Sequence, residues 1–209
     1  MALIHSATLV PGKLDLLREW LPSRDWCAGT DVDRLEQVGA YRFDDPAGEV
    51  GMEAFLLRGG GGPLLHVPLT YRGAPLPGAD AHLVGLTQHS VLGTRWVYDA
   101  AADPVWAATL ATAVLTGGHQ AEEVLETDGR REPREPTVTV QGSGVPGAVV
   151  PVVSSVTTRD DGPVTRVSAA GLELVVVRVV GVVVPEGPSL TARWSGGRSG
   201  VVAAADLAR

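Results

Sequence analysis

Short apolar runs rich in β-branched and aromatic residues alternate along the chain with turns of Gly, Pro and Asp, and the spacing becomes helical at only a few places. Leu3 to Val10 reads as a first strand. Pro11 to Leu21, with Leu14, Leu16, Leu17 and Trp20, reads as a short amphipathic helix opened by proline. Val32 to Phe43 alternates loosely and closes through the turn Asp44 to Gly48 into a hairpin whose return strand is Val50 to Arg58. Gly59 to Gly62 leads to a further strand, Leu64 to Tyr71. Pro75 to Gly78 then breaks the chain before Leu83 to Leu92.

The clearest stretch is residues 92–118. Arg95 to Tyr98 form a short β-rich run, and Asp99 to Asp103 a polar break. Asp103 then precedes Pro104, an N-cap followed by proline at the first helical position, where its missing N–H costs nothing. Val105, Ala108, Leu110, Ala111, Val114 and Leu115 continue at mostly helical spacing, and Gly117-Gly118 supplies the left-handed stop. From Gln120 to Glu126 the pattern allows the helix to resume. Thr127 to Pro136 is charged and broken by two prolines, so 128–136 is the expected linker between a first domain, 1–127, and a second region, 137–209. Beyond it, Thr137 to Gln141, Ala148 to Thr158, Val164 to Ala169, Leu172 to Val184 and Leu190 to Ser195 are valine-rich and punctuated by Gly and Pro, with no helical pattern before the last few residues. The first part is therefore an antiparallel meander with helices, α+β in class, and the second is mostly β.

Two segments carry a resemblance. WVYDAxxDP followed by an apolar helix, at Trp96 to Pro104, is similar to the end of the maltokinase N-terminal cap domain. Trp20 to Gly29, WLPSRDWCAG, resembles the WLxxRxWxAG segment that opens it. Both stand in the family's order, over roughly residues 14–117. The resemblance implies a curved antiparallel sheet packed on helices, similar to the cystatin topology, and relatives that carry a cap without a complete kinase. It carries no catalytic role onto any position, because the family's HGD and DFE motifs are absent. The run LELVVVRVV has Arg178 where a nucleotide-binding lysine would stand on a kinase strand.

Composition narrows the chemistry. The chain has sixteen arginines but one lysine, Lys13, and no asparagine, whereas kinase-like phosphoryl transfer uses a strand lysine and a metal-binding asparagine. A net charge of −7 disfavours nucleic acid as a partner, and the basic group Arg130, Arg131 and Arg134 is interleaved with Glu132 and Glu135. No apolar run has the roughly 18 residues needed to span a bilayer, and Met1 to Val10 has no secretory features. Cys27 is the single cysteine, which excludes an internal disulfide and fits a reducing cytoplasm. It reads as small filler beside Trp26.

Gly59 to Gly62 and Gly142-Ser143-Gly144 join strand to strand without a following GK[ST], so they are hairpin loops rather than phosphate cradles. His66, His82 and His89 are too scattered for metal spacing, and neither a metal site nor a cofactor is expected. Capping accounts for Asp103 and the turn for Asp99. Arg95, Trp96, Tyr98 and Asp99, with Trp26, remain as a candidate ligand or partner face, since saccharides bind aromatic platforms flanked by charged groups. The expected function is a non-catalytic cap-like binding or regulatory module linked to α-glucan or trehalose metabolism, with a protein or a saccharide as partner. The alternative is a degenerate maltokinase-family protein that binds nucleotide or sugar. Valine-rich strand edges in the second region would be covered by self-association into a homo-oligomer.

Overall fold

The structure is a computed structural model that describes residues 2–5, 7–127 and 130–207. In chain order its elements are β1 (Ala2–His5), β2 (Leu9–Val10), α1 (Lys13–Trp20), β3 (Leu35–Phe43), β4 (Gly51–Gly59), β5 (Leu64–Arg72), β6 (Leu83–His89), β7 (Gly93–Asp99), α2 (Pro104–Thr116), β8 (Glu123–Thr127) and β9 (Arg130–Arg134). There follow β10 (Val138–Gly142), β11 (Thr157–Asp161), β12 (Val164–Ala169), β13 (Leu172–Val177), β14 (Ser189–Trp194) and β15 (Arg198–Leu207). The protein is mostly β. One six-stranded antiparallel sheet, ordered β2-β6-β7-β5-β4-β3, curls into a half-barrel; a second runs β10-β14-β15-β13-β12-β11.

The turn chemistry read from the sequence forms as expected in the first sheet. The Asp45 carboxylate accepts from the backbone N–H groups of Ala47, Glu49 and Val50, each at 2.9 Å, and so ties the β3–β4 hairpin. Gly59 to Gly62 make the β4–β5 turn. At α2 the Asp103 side chain accepts from Val105 N at 3.0 Å, Pro104 occupies the first turn, and Gly117 closes the helix at φ 74°. The helix end then abuts the second sheet so closely that a Cβ on Gly142 would lie 1.9 Å from the Ala113 carbonyl oxygen.

Four expectations are corrected. The helix does not resume after Gly118; residues 123–127 are β8, parallel to β1 and antiparallel to β9. The reason is tertiary: His119 is fixed in a bridge with Gln141, Ala121 N donates to Arg42 O at 2.8 Å, and Glu123 is buried rather than displayed on a helix. Ala148 to Thr158 is not a strand until Thr157. Pro151 lacks a ladder donor, and the segment is an extended strap whose Val150, Val153 and Val156 rest on the core while Val149 and Val152 face solvent. Leu172 to Val184 is β13 only to Val177, and the last described residues are in strand β15 rather than in a helix.

Beyond Val177 the chain changes sheet. β7 pairs with β5 only along Leu69–Arg72, because after Asp99 it turns away into a short 3-10 turn, Ala100–Ala102. The start of β5 is taken up instead by the second sheet: His66 N donates to Arg178 O at 2.9 Å and Val180 N to Leu64 O at 2.8 Å. One core joins both parts, from Tyr41, Phe43, Met52 and Leu56 through Trp106, Leu110 and Val114 of α2 to Val138, Leu174, Leu190 and Val202. The opposite face of the first sheet, with Phe55, Leu57, Val67 and Val97, packs on Leu16, Leu17 and Trp20 of α1 and on Trp26.

Candidate functional site

Two places in this frame gather buried polar side chains, and a third exposes apolar ones. The first is the seam where the two sheets meet. Arg178, fully buried, donates from Nη2 to Asp99 Oδ2 at 2.6 Å and from Nε to Thr165 Oγ1 at 2.7 Å, with its guanidinium 4.9 Å from the Trp26 ring centre. Asp99 in turn accepts from Ala101 N at 3.2 Å. Two strand ends from different sheets thus meet head to head, and a buried ion pair of this kind fixes register more than it adds net stability. Beside it, His66 Nδ1 donates to the Val177 carbonyl at 3.0 Å, which leaves Nε2 to accept from the Tyr41 hydroxyl at 2.9 Å. Burial, reinforced by Arg178, lowers the His66 pKa from 6.5 to about 3 against the opposing pull of the Val177 carbonyl, so the ring is neutral.

The second place lies under α1. Lys13, at the first position of the helix, reaches Glu53 Oε2 at 2.5 Å, while Arg42, opposite Glu53 on β3, reaches Oε1 at 3.0 Å. The Lys13 ammonium lies 5.6 Å from the Phe55 ring centre and 5.8 Å from that of Tyr71. Burial pushes the Glu53 carboxyl up, but Arg42 and Lys13 outweigh it and hold the group below the usual carboxylate range. Glu123 on β8 is also buried, and there burial prevails over Arg42 and Arg134, so its carboxyl is raised. The only lysine of the chain is thereby engaged in an internal ion pair.

The third is the end of the first sheet that α2 and the second sheet leave uncovered. Leu86 lies opposite Trp96, and Val10 opposite Gln88, so their side chains share one face. Val10 is 63% exposed and Leu86 46%; Trp96 is half-buried. Val91 and Leu92, also exposed, form the adjoining β6–β7 turn.

The five sequence-selected residues are distributed over these places. Alternation along β7 sends Trp96 and Tyr98 to one face and Arg95 and Asp99 to the other. Trp96 reaches the uncovered end. Tyr98 is buried, its hydroxyl accepting from Leu76 N at 3.0 Å. Arg95 donates to the Leu92 carbonyl at 2.6 Å, and Asp99 and Trp26 come together around Arg178. Asp103, besides capping α2, takes a bidentate pair from Arg72 at 2.7 Å for each bond.

Residues 20–103 match the family model of the maltokinase N-terminal cap domain. That part of the chain resembles the cap. The match begins at Trp20, the end of α1, and stops at Asp103, so it covers β3 to β7 of the curled sheet but not β2, and halts at the cap of α2. No curated protein matches the chain.

Sequence reasoning missed Glu53, Arg42 and Thr165, and weighed His66 only as a metal ligand. It noted Arg178 only for where it stands. The available signal was a charge flanked by valines on both sides, Val175 to Val180, which requires a buried counter-charge. Among the described residues no group of three or more His, Cys, Asp or Glu side chains is placed to hold a metal ion, and His82 lies 3.4 Å from Thr158 Oγ1. Cys27 is buried in a short turn next to Trp26; burial raises its thiol pKa although Thr30 opposes. No helix of the described residues is long and apolar enough to cross a membrane.

Proposed function

We propose that the protein is a non-catalytic, cap-like binding module that docks on a protein partner through the uncovered end of its first sheet. Val10, Leu86 and Trp96, with Val91 and Leu92 at the turn, form the contact. The observation that carries this reading is the half-buried Trp96 flanked by exposed aliphatic side chains on a face whose remainder is packed; exposed apolar clusters of this kind mark interaction sites. The curled sheet backed by α1 is then a cystatin-like arrangement. The match to the maltokinase cap supports a partner in α-glucan or trehalose metabolism, acting in the cytoplasm. The engagement of Lys13 with Glu53 argues against the nucleotide-binding alternative. The test is quantitative affinity capture from the native cytoplasm with the wild type and with Leu86→Asp, accompanied by calorimetry with maltose, trehalose and maltooligosaccharides. A specific protein retained by the wild type and lost in Leu86→Asp supports docking. Heat with a saccharide, with no protein retained, replaces the protein partner by a sugar.

A further inference from the structure

The outer surface of the second sheet holds a cavity of about 430 Å³, of a size that suits small ligands. Thr139 faces Arg193 across β10 and β14, and Gln141 faces Thr191. The intervening residues Val138, Val140, Leu190 and Ala192 point into the core, so the four polar side chains stand together on the opposite face. His119 and Gln120 close one side, held there by the bridge between His119 and Gln141.

The hydrogen bonds already made inside this wall determine what it offers. Gln120 Oε1 accepts from Val140 N at 2.8 Å, which leaves its Nε2 to donate. Gln141 Nε2 donates to Gly117 O at 2.8 Å, which leaves its Oε1 to accept. His119 Nδ1 donates to Gln120 O at 2.7 Å, and in the neutral ring Nε2 remains as an acceptor. The Arg193 side chain has no ion pair or hydrogen bond among the described residues, and no carboxylate lines the cavity although the chain carries a net charge of −7. One guanidinium fork, two fixed amides, an imidazole and two hydroxyls form an oxyanion position with hydroxyl-reading groups beside it.

We infer that this cavity binds a small hydroxylated oxyanion, its carboxylate or phosphate on Arg193 and its hydroxyls against Gln120, Gln141 and the threonines. The site is independent of the proposed docking face, which belongs to the other sheet. The test is an amide NMR titration of the full chain with gluconate, glycerol 3-phosphate and sorbitol. Gluconate or glycerol 3-phosphate should shift the amides of residues 139–141 and 191–193, the tighter of the two identifying the oxyanion, while sorbitol, which has hydroxyls but no charge, should not. Arg193→Gln, at an exposed position, should keep the spectrum of the folded protein and weaken binding about tenfold or more. Absence of shifts with both anions, shifts confined to other residues, or unchanged affinity in Arg193→Gln would overturn the assignment.

Discussion

At the residue scale, the seam depends on Arg178. Removing Asp99 strands a buried guanidinium, and this outweighs the modest net value of the intact pair. Asp99→Ala should therefore cost about 3–5 kcal/mol in urea unfolding. The paired replacement Asp99→Leu with Arg178→Met should recover most of that loss, because it removes both charges together. A double variant as unstable as the single one would show that the pair does not act as a unit.

His66 sets a pH dependence by the same reasoning. Its folded pKa, about 3, lies below the ordinary 6.5, so between these values the unfolded chain takes up a proton that the folded protein refuses. Stability present above pH 6.5 is lost as pH falls, with a slope of at most about 1.4 kcal/mol per pH unit from this group. Glu53, held low by Arg42 and Lys13, adds a loss of the same sign once the pH drops below the unfolded carboxylate value of about 4.3. Urea midpoints should be steady from pH 8 to 7 and decline below 6.5. In His66→Gln the decline between pH 6.5 and 5 should flatten; an unaltered slope would assign it elsewhere.

At the scale of elements, α2 was legible because Asp103, Pro104 and Gly117 each specify a helix end locally. Asp103 also receives Arg72 from β5, a contact separated by 31 residues that no local pattern encodes. Asp103→Ala loses both, with an expected cost of about 2–4 kcal/mol measured by thermal or urea unfolding. A loss of only about 1 kcal/mol would reduce the residue to an ordinary cap. The elements read wrongly share a physical cause. At 119–126 helix-compatible residues are held in an isolated bridge and then in β8 by partners distant in sequence, and at 148–156 a valine-rich run becomes a strap because Pro151 cannot donate to a ladder. The candidate face was legible only in part. β7 was recognisable, but its alternation separates Trp96 from Arg95, and the partners that bury Tyr98, Asp99 and Trp26 come from elsewhere in the chain.

At the scale of the whole molecule, the two sheets share one apolar core and exchange backbone bonds at Leu64 to His66. The amino-terminal part cut at residue 136 would expose Tyr41, Leu56, Trp106 and Leu110, which the second sheet covers. Residues 1–136 alone should consequently show poor amide dispersion and no cooperative melt, whereas the full chain should unfold in one transition. Two separated transitions in the full chain would establish independent units.

The docking proposal gives the cap-like sheet the task of holding a partner. It is tested most directly by capture from the native cytoplasm with wild type and Leu86→Asp side by side, both confirmed folded by circular dichroism and with bound proteins quantified by mass spectrometry. One protein should be retained by the wild type and reduced about tenfold or more in the variant. Equal retention by both, or no specific protein with either, would contradict it.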